Sequence, residues 1–198
     1  MSEAPGAGST VCIRENGSLR AQGIPPLRKI RCKTTKDLGQ EDIMKVGFGS
    51  DHAGVELKLT LMEYLKEKGY ECVDYGNYDA NDRNDDYPVY GRKTAEAVMR
   101  GEVDKGVVIC GTGVGISLAA NKVPGIRCCV CSEPYSARMS VEHNNANMLS
   151  MGARVIGREL AKMIVDAFFG ATFEGGRHAR RVEMITDIEE TYSKNPVD

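Results

Sequence analysis

The sequence carries little net charge, few histidines and no long apolar run. Lys and Arg number 26 against 28 Asp and Glu, a formal charge of −2. That balance gives no reason to expect nucleic acid or an anionic membrane as partner. No stretch is apolar over enough residues to span a bilayer, and the Gly-, Ala- and Ser-rich start lacks the apolar core of a signal peptide. No internal repeat is evident. The seven cysteines are an odd number, and Cys128, Cys129 and Cys131 crowd into one short apolar run. A strand there would send neighbouring thiols to opposite faces, poor geometry for a disulfide framework and for a zinc site. The expectation is a reducing, cytoplasmic compartment, with Cys72, Cys128, Cys129 and Cys131 acting as small core hydrophobes.

What is present fits a globular chain. Its 198 residues, 41% hydrophobic and 27% charged, suit one domain or one domain with a tail. Residues 1–43 stand apart: they are rich in Gly and Pro, mildly basic and without sustained periodicity, and they predict a poorly ordered extension. Acidic residues are scarce before Asp37, as in a transit peptide, but no clear amphipathic Arg/Ser pattern accompanies this. Met44 directly precedes the first good strand, which leaves open its being the natural start. Residues 44–198 are read as the working domain.

Within that domain strands and helices alternate. Strands are expected at Lys45–Ser50, Tyr70–Tyr75, Val107–Cys110, Gly125–Cys131 and Met148–Met151. Helices are expected from about Val55 to Lys68, after Pro88, from Ile116, after Ser132 as N-cap, from Glu159 to Phe169 and from about Arg177 to Tyr192. This order predicts an α/β fold: a Rossmann-like three-layer sandwich, with helices on both faces of a mostly parallel sheet of about five strands. Ligands in such folds bind beyond the carboxyl ends of the strands.

That edge is where the unusual residues fall. After Val107–Cys110 come Gly111, Thr112, Gly113, Val114 and Gly115, then a helix start. Glycines let backbone approach a ligand, and free N–H groups at a helix start attract anions. Cys110 stands at the lip of this cradle, where those N–H groups favour a thiolate fit to move a proton or attack a carbonyl. The loop is not a dinucleotide fingerprint, because the third glycine of G-x-G-x-x-G would have to replace Ile116 or Leu118. It also lacks the Lys-Ser/Thr of a P-loop. The three histidines, His52, His143 and His178, all lie outside element interiors beside polar groups: Asp51, Asn144 and Asn145, and Arg177 and Arg181. Arg177 and Arg181 share a helix face near its N-terminus, where a bound phosphate would relieve their conflict with the dipole, although a merely solvated basic face reads equally well.

Together these residues resemble a known family. Gly49-Ser50-Asp51-His52-Ala53-Gly54, Asp86-Tyr87-Pro88, Ile109 to Ser117, Ala120-Asn121-Lys122, Ser132-Glu133-Pro134-Tyr135, His143-Asn144 and Glu174-Gly175-Gly176-Arg177-His178 look like ribose-5-phosphate isomerase type B, over nearly all of Lys45–Tyr192. The resemblance implies interconversion of ribose 5-phosphate and ribulose 5-phosphate without metal or organic cofactor. By its pattern Cys110 would be the base that removes the C2 proton and returns it at C1, in the thiol branch of the family. His143 would open the furanose ring, Asp51 and Asn144 would meet sugar hydroxyls and the enediolate, and the N–H groups of Gly111–Gly115 would hold the enediolate oxygen. His52, Arg154, Arg177 and Arg181 match phosphate-contacting positions, with Thr112 and His178 as supporting residues. The resemblance further implies a homodimer, or a dimer of dimers, with the site at the subunit boundary. A six-carbon sugar phosphate (allose or galactose 6-phosphate) remains an alternative substrate, and a non-catalytic sugar-phosphate binding module an alternative function.

Overall fold

The structure is a computed structural model that describes residues 43–82 and 84–194. The extension expected at residues 1–43 therefore lies almost wholly outside the described residues. Five parallel strands form one sheet: β1 (Lys45–Ser50), β2 (Glu71–Asp74), β3 (Lys105–Cys110), β4 (Cys128–Val130) and β5 (Met148–Gly152), in the order β2-β1-β3-β5-β4. The chain leaves β1 toward one edge and returns on its other side at β3, which creates a switch point between the two carboxyl ends.

Six α-helices occur among the described residues: α1 (Val55–Glu67), α2 (Tyr87–Arg100), α3 (Val114–Ala120), α4 (Pro134–Asn144), α5 (Arg158–Phe169) and α6 (Arg177–Lys194), the last packed on α4. The period of two along β3 divides the core. Val107 and Ile109 join Val46, Phe48, Leu149 and Met151 under α1, α4 and α5, where Leu57, Leu61, Leu65, Val141, Ile164 and Phe168 pack against them. Val108 and Cys110 face the other layer, with Ala95 of α2 and Ile116 and Ala120 of α3. The strand that carries the candidate base is thus buried on both sides, and its last side chain turns toward α3.

Several boundaries differ from the sequence expectation by one or a few residues. Helix α3 begins at Val114 rather than Ile116, because Gly113 takes φ +79° and itself serves as the N-cap. Strand β4 pairs only over Cys128–Val130. The N-cap of α4 is Glu133, not Ser132: its longer carboxylate reaches forward to accept the N–H groups of Tyr135 (2.6 Å) and Ser136 (2.7 Å). No helix among the described residues is long and apolar enough to cross a membrane.

Candidate active site

The first group of candidate residues gathers where β1, β3 and β5 end. Cys110 is 4% exposed. Its Sγ accepts the Gly113 N–H at 3.1 Å, so the sulfur backs onto the α3 layer while facing the glycine loop. The loop is held from below by Ser150, whose hydroxyl donates to the Gly113 carbonyl at 2.5 Å. A side chain at Gly113 would meet the backbone of Met151 at 2.7 Å, so the close passage over β5 requires glycine. Thr112 Oγ1 accepts the Val114 N–H at 3.3 Å and caps the turn. A side chain at Gly115 would run into the Tyr87 ring at 2.6 Å. The β3–β5 pairing continues past the strands, Ala153 N–H to Cys110 O at 2.9 Å and Arg154 N–H to Gly111 O at 3.0 Å. It lays the exposed Arg154 guanidinium over Gly111.

From β1 come Asp51 and His52. Asp51 caps a single 3-10 turn, His52–Gly54, by accepting the Gly54 N–H at 3.1 Å. Burial pushes its carboxyl above the ordinary value, against the lowering effect of that hydrogen bond. His52 is fixed by Asp85, a residue given no role from sequence. Asp85 Oδ2 accepts the His52 backbone N–H at 2.5 Å, and its Oδ1 lies 2.5 Å from His52 Nδ1. Burial would raise the Asp85 pKa, but the hydrogen bonds from His52 and Asn77 outweigh it and hold the carboxyl below its ordinary value. His52 and Arg154 line a cavity of about 320 Å³ with Glu56, Gly157 and Arg158. A larger open groove of about 570 Å³ runs past Asp74, Asn77, Asp79, Tyr90 and Lys93; it includes none of the candidate residues and its acidic balance suits a phosphate poorly.

The second group forms where α4 ends and α6 begins. The His143 and His178 rings stack, centroids 4.1 Å apart and 3° from parallel. Glu174 Oε2 lies 3.5 Å from His178 Nε2 and 3.9 Å from His143 Nε2. Arg177 Nε donates to His178 Nε2 at 3.2 Å. Burial, then His143 and Arg177, push the His178 pKa below the ordinary imidazole value. His143, Glu174 and His178 also form the one grouping of three metal-capable side chains among the described residues. Its electrostatics oppose a resident cation, because the Arg177 guanidinium already occupies the lone pair that an ion would need. Arg177 and Arg181 lie exposed on the first turns of α6, and Asn144 is exposed at the end of α4, its carbonyl taken by Arg127 Nε at 3.1 Å. No hydrogen bond or salt bridge among the described residues joins the two groups.

A buried thiol that accepts a backbone N–H, a buried carboxyl, two stacked imidazoles beside a glutamate and several arginines are groups able to exchange protons with an anionic substrate. Residues 46–185 match the family described as Ribose/Galactose Isomerase. The chain belongs to that family. It is 56% identical over 146 residues to ribose-5-phosphate isomerase B of Escherichia coli (strain K12), covering 74% of this chain and 97% of that protein. The solved structure of ribose-5-phosphate isomerase B from Clostridium thermocellum superposes with a TM-score of 0.73 at 56% identity, covering 75% of this chain and 99% of that one. The Mycoplasma genitalium ribose-5-phosphate isomerase B, solved with bound ribulose-5-phosphate, superposes with a TM-score of 0.70 at 40% identity, covering 74% and 97%. These two solved isomerases therefore share the fold of this chain.

Proposed function

We infer that this isomerase interconverts ribose 5-phosphate and ribulose 5-phosphate through an enediolate. The observation that carries the reading is Cys110 Sγ held 3.1 Å from the Gly113 N–H at the switch-point edge, in a chain so similar to ribose-5-phosphate isomerases B. In the proposed sequence the His143 cluster opens the furanose ring, moving a proton from the anomeric hydroxyl to the ring oxygen. Cys110, as thiolate, takes the C2 proton of the open aldose. The electron pair of that C–H bond becomes the C1–C2 double bond, and the C1 oxygen gathers the charge. N–H groups of the Gly111–Gly115 loop stabilise that oxygen, a kind of contact worth about 3 kcal/mol of barrier. Proton transfer between the two oxygens, assisted by Asp51, leaves C2 as the carbonyl while Cys110 returns its proton to C1. His52, Arg154, Arg177 and Arg181 hold the phosphate. Every step is acid–base chemistry and asks for no electron carrier.

We read the site as completed across a homodimer boundary. That no hydrogen bond or salt bridge among the described residues joins the two residue groups supports this, as does α6, which leaves Met184, Ile185, Ile188 and Tyr192 exposed. The five described cysteines are all free, in keeping with a reducing compartment such as the cytoplasm. The test is turnover by the Cys110→Ala variant over a panel of ribose, allose and galactose phosphates. We expect kcat on ribose 5-phosphate to fall by about 10³, and wild-type kcat/KM to favour the five-carbon substrate. A near-normal kcat would remove Cys110 as the base, and a preference for a six-carbon sugar would move the substrate assignment.

A further inference from the structure

The reaction scheme makes no use of the loop between β2 and α2, yet that loop carries a buried polar relay ending on His52. The Asp85 side chain is fully buried. Its Oδ2 takes two donors, the His52 backbone N–H at 2.5 Å and Asn77 Nδ2 at 2.8 Å, while its Oδ1 has one partner among the described residues, His52 Nδ1 at 2.5 Å. Asn77 is anchored in turn: its N–H donates to the Ser50 carbonyl at 2.9 Å, and its carbonyl accepts from Lys58 Nζ at 2.7 Å. Lys58 is 0% exposed and is paired with Asp74 at 2.7 Å. A buried lysine and a buried carboxylate are costly unless each is fully partnered. Here the partners run in line from α1 through Asn77 to one imidazole.

An ionised carboxylate can only accept hydrogen bonds, so the nitrogen facing Asp85 must carry a proton. The other ring nitrogen, Nε2, is then the one left for the cavity that His52 shares with Arg154. On protonation the ring becomes an imidazolium whose Nε2–H can donate to an anion, with its charge balanced from behind by Asp85. Among the described residues, Asp51, Glu56, Arg154 and Arg158 are the other charged groups near this ring. We propose that Asp85 is a positioning residue that fixes His52 with Nδ1 protonated and aims Nε2 at the phosphate end of the substrate. The inference rests on the reading of His52 as a phosphate contact.

The Asp85→Asn variant tests this because the two carboxylate oxygens are not equivalent. The doubly used Oδ2 position must keep the amide oxygen, so the amide nitrogen faces Nδ1. It can be accommodated there only if Nδ1 gives up its proton and the ring becomes the Nε2–H tautomer. With three histidines in the chain, two-bond 15N–1H correlations, assigned by the loss of signals in His52→Ala, report the tautomer directly. We expect neutral His52 in the wild-type protein to be Nδ1–H, and in Asp85→Asn to be Nε2–H. We also expect Asp85→Asn to raise the KM for ribose 5-phosphate and the Kd for inorganic phosphate about tenfold, the scale of one charge-assisted hydrogen bond, with kcat within about threefold. In a His52→Ala background, Asp85→Asn should change neither constant further. An Nε2–H tautomer in the wild-type protein, which requires no variant to fold, would overturn the proposal. Equal losses from Asp85→Asn with and without His52 would do so too, since they would mark a merely structural loop. The tautomer and phosphate titrations read the proposal even if ribose 5-phosphate is not turned over, so its failure is distinct from failure of the proposed reaction.

Discussion

The glycine loop gives the sharpest test of how geometry makes this site, through the pair Gly113→Ala and Gly69→Ala. Both glycines have positive φ, +79° and +90°. Either alanine incurs the left-handed backbone cost of about 1–2 kcal/mol. They differ in their surroundings. A methyl at Gly69 meets nothing within 4 Å, whereas at Gly113 it would lie 2.7 Å from the Met151 carbonyl carbon and 3.0 Å from the Gly152 nitrogen. Those are backbone atoms of β5 that no side-chain rotation can move. Overpacking of this kind adds about 1–3 kcal/mol, so Gly113→Ala should be about 2 kcal/mol less stable than Gly69→Ala. For a domain of this size that is about 4–8 °C in Tm. Relief requires the loop to lift, which takes the Gly113 N–H away from Cys110 Sγ and from the enediolate oxygen. Loss of one such donor costs about 10²–10³ in kcat, while Gly69→Ala should turn over normally. Thermal unfolding and initial-rate assays on the purified pair decide it. If Gly113→Ala matches Gly69→Ala in both measurements, the loop is an ordinary turn and the oxyanion argument fails.

Asp51→Asn should separate stability from activity. Burial raises the folded-state pKa of Asp51, so its contribution to stability is full below the unfolded carboxylate value of about 3.9 and is lost as pH rises through the raised value. The variant, which keeps a capping oxygen, should therefore have the higher denaturation midpoint at neutral pH but lower turnover, with the stability difference vanishing in acid; a lower midpoint at neutral pH would refute this. Iodoacetamide near neutral pH should label Cys110 before the other four described cysteines. Burial pushes Cys72 up to about 11, Cys131 up to about 12, and Cys128 and Cys129 also upward; ribose 5-phosphate should slow that labelling, and first labelling at Cys129 or Cys72, read by peptide mass, would count against the thiolate base. Ile188→Asp on the exposed face of α6 should yield a monomer by sedimentation with little residual turnover; an active monomer would confine the whole site to one chain.

What could be read from the sequence was local. Val107–Cys110 and the three glycines after it are contiguous, so strand, turn and helix are visible in one window, and the structure moves the helix start by only two residues. The Arg177–Arg181 face was legible for the same reason, since helical spacing is a local property. The relay behind His52 was not. Lys58 reaches Asn77 across 19 residues and Asp85 reaches His52 across 33, with no period to link them. Lys58 sits in α1 among leucines, where a lysine reads as the polar side of an amphipathic helix, yet it is 0% exposed. The His143–His178 stack likewise joins the end of one helix to the start of another, and two lone histidines 35 residues apart (178 minus 143) announce nothing until the chain folds.

Asp51 and Asp85 are shifted in opposite directions. They neighbour the same imidazole, and each is deeply buried, so burial alone would push both carboxyls upward. Hydrogen bonds decide the difference. Asp51 receives the Gly54 N–H at 3.1 Å and stays raised, whereas Asp85 receives three donors at 2.5–2.8 Å and ends lowered. Two carboxyls around one histidine are thereby pushed apart, one toward holding a proton and one toward holding a charge, which is how a site divides acid–base work from electrostatic support. On the proposed reaction, Asp51 is the carboxyl that exchanges a proton with the enediolate, while Asp85, whose oxygens accept from His52 and Asn77, supports the imidazole. Because both depend on backbone N–H donors from the turn that follows β1, a change in that turn should disturb proton transfer and phosphate affinity together.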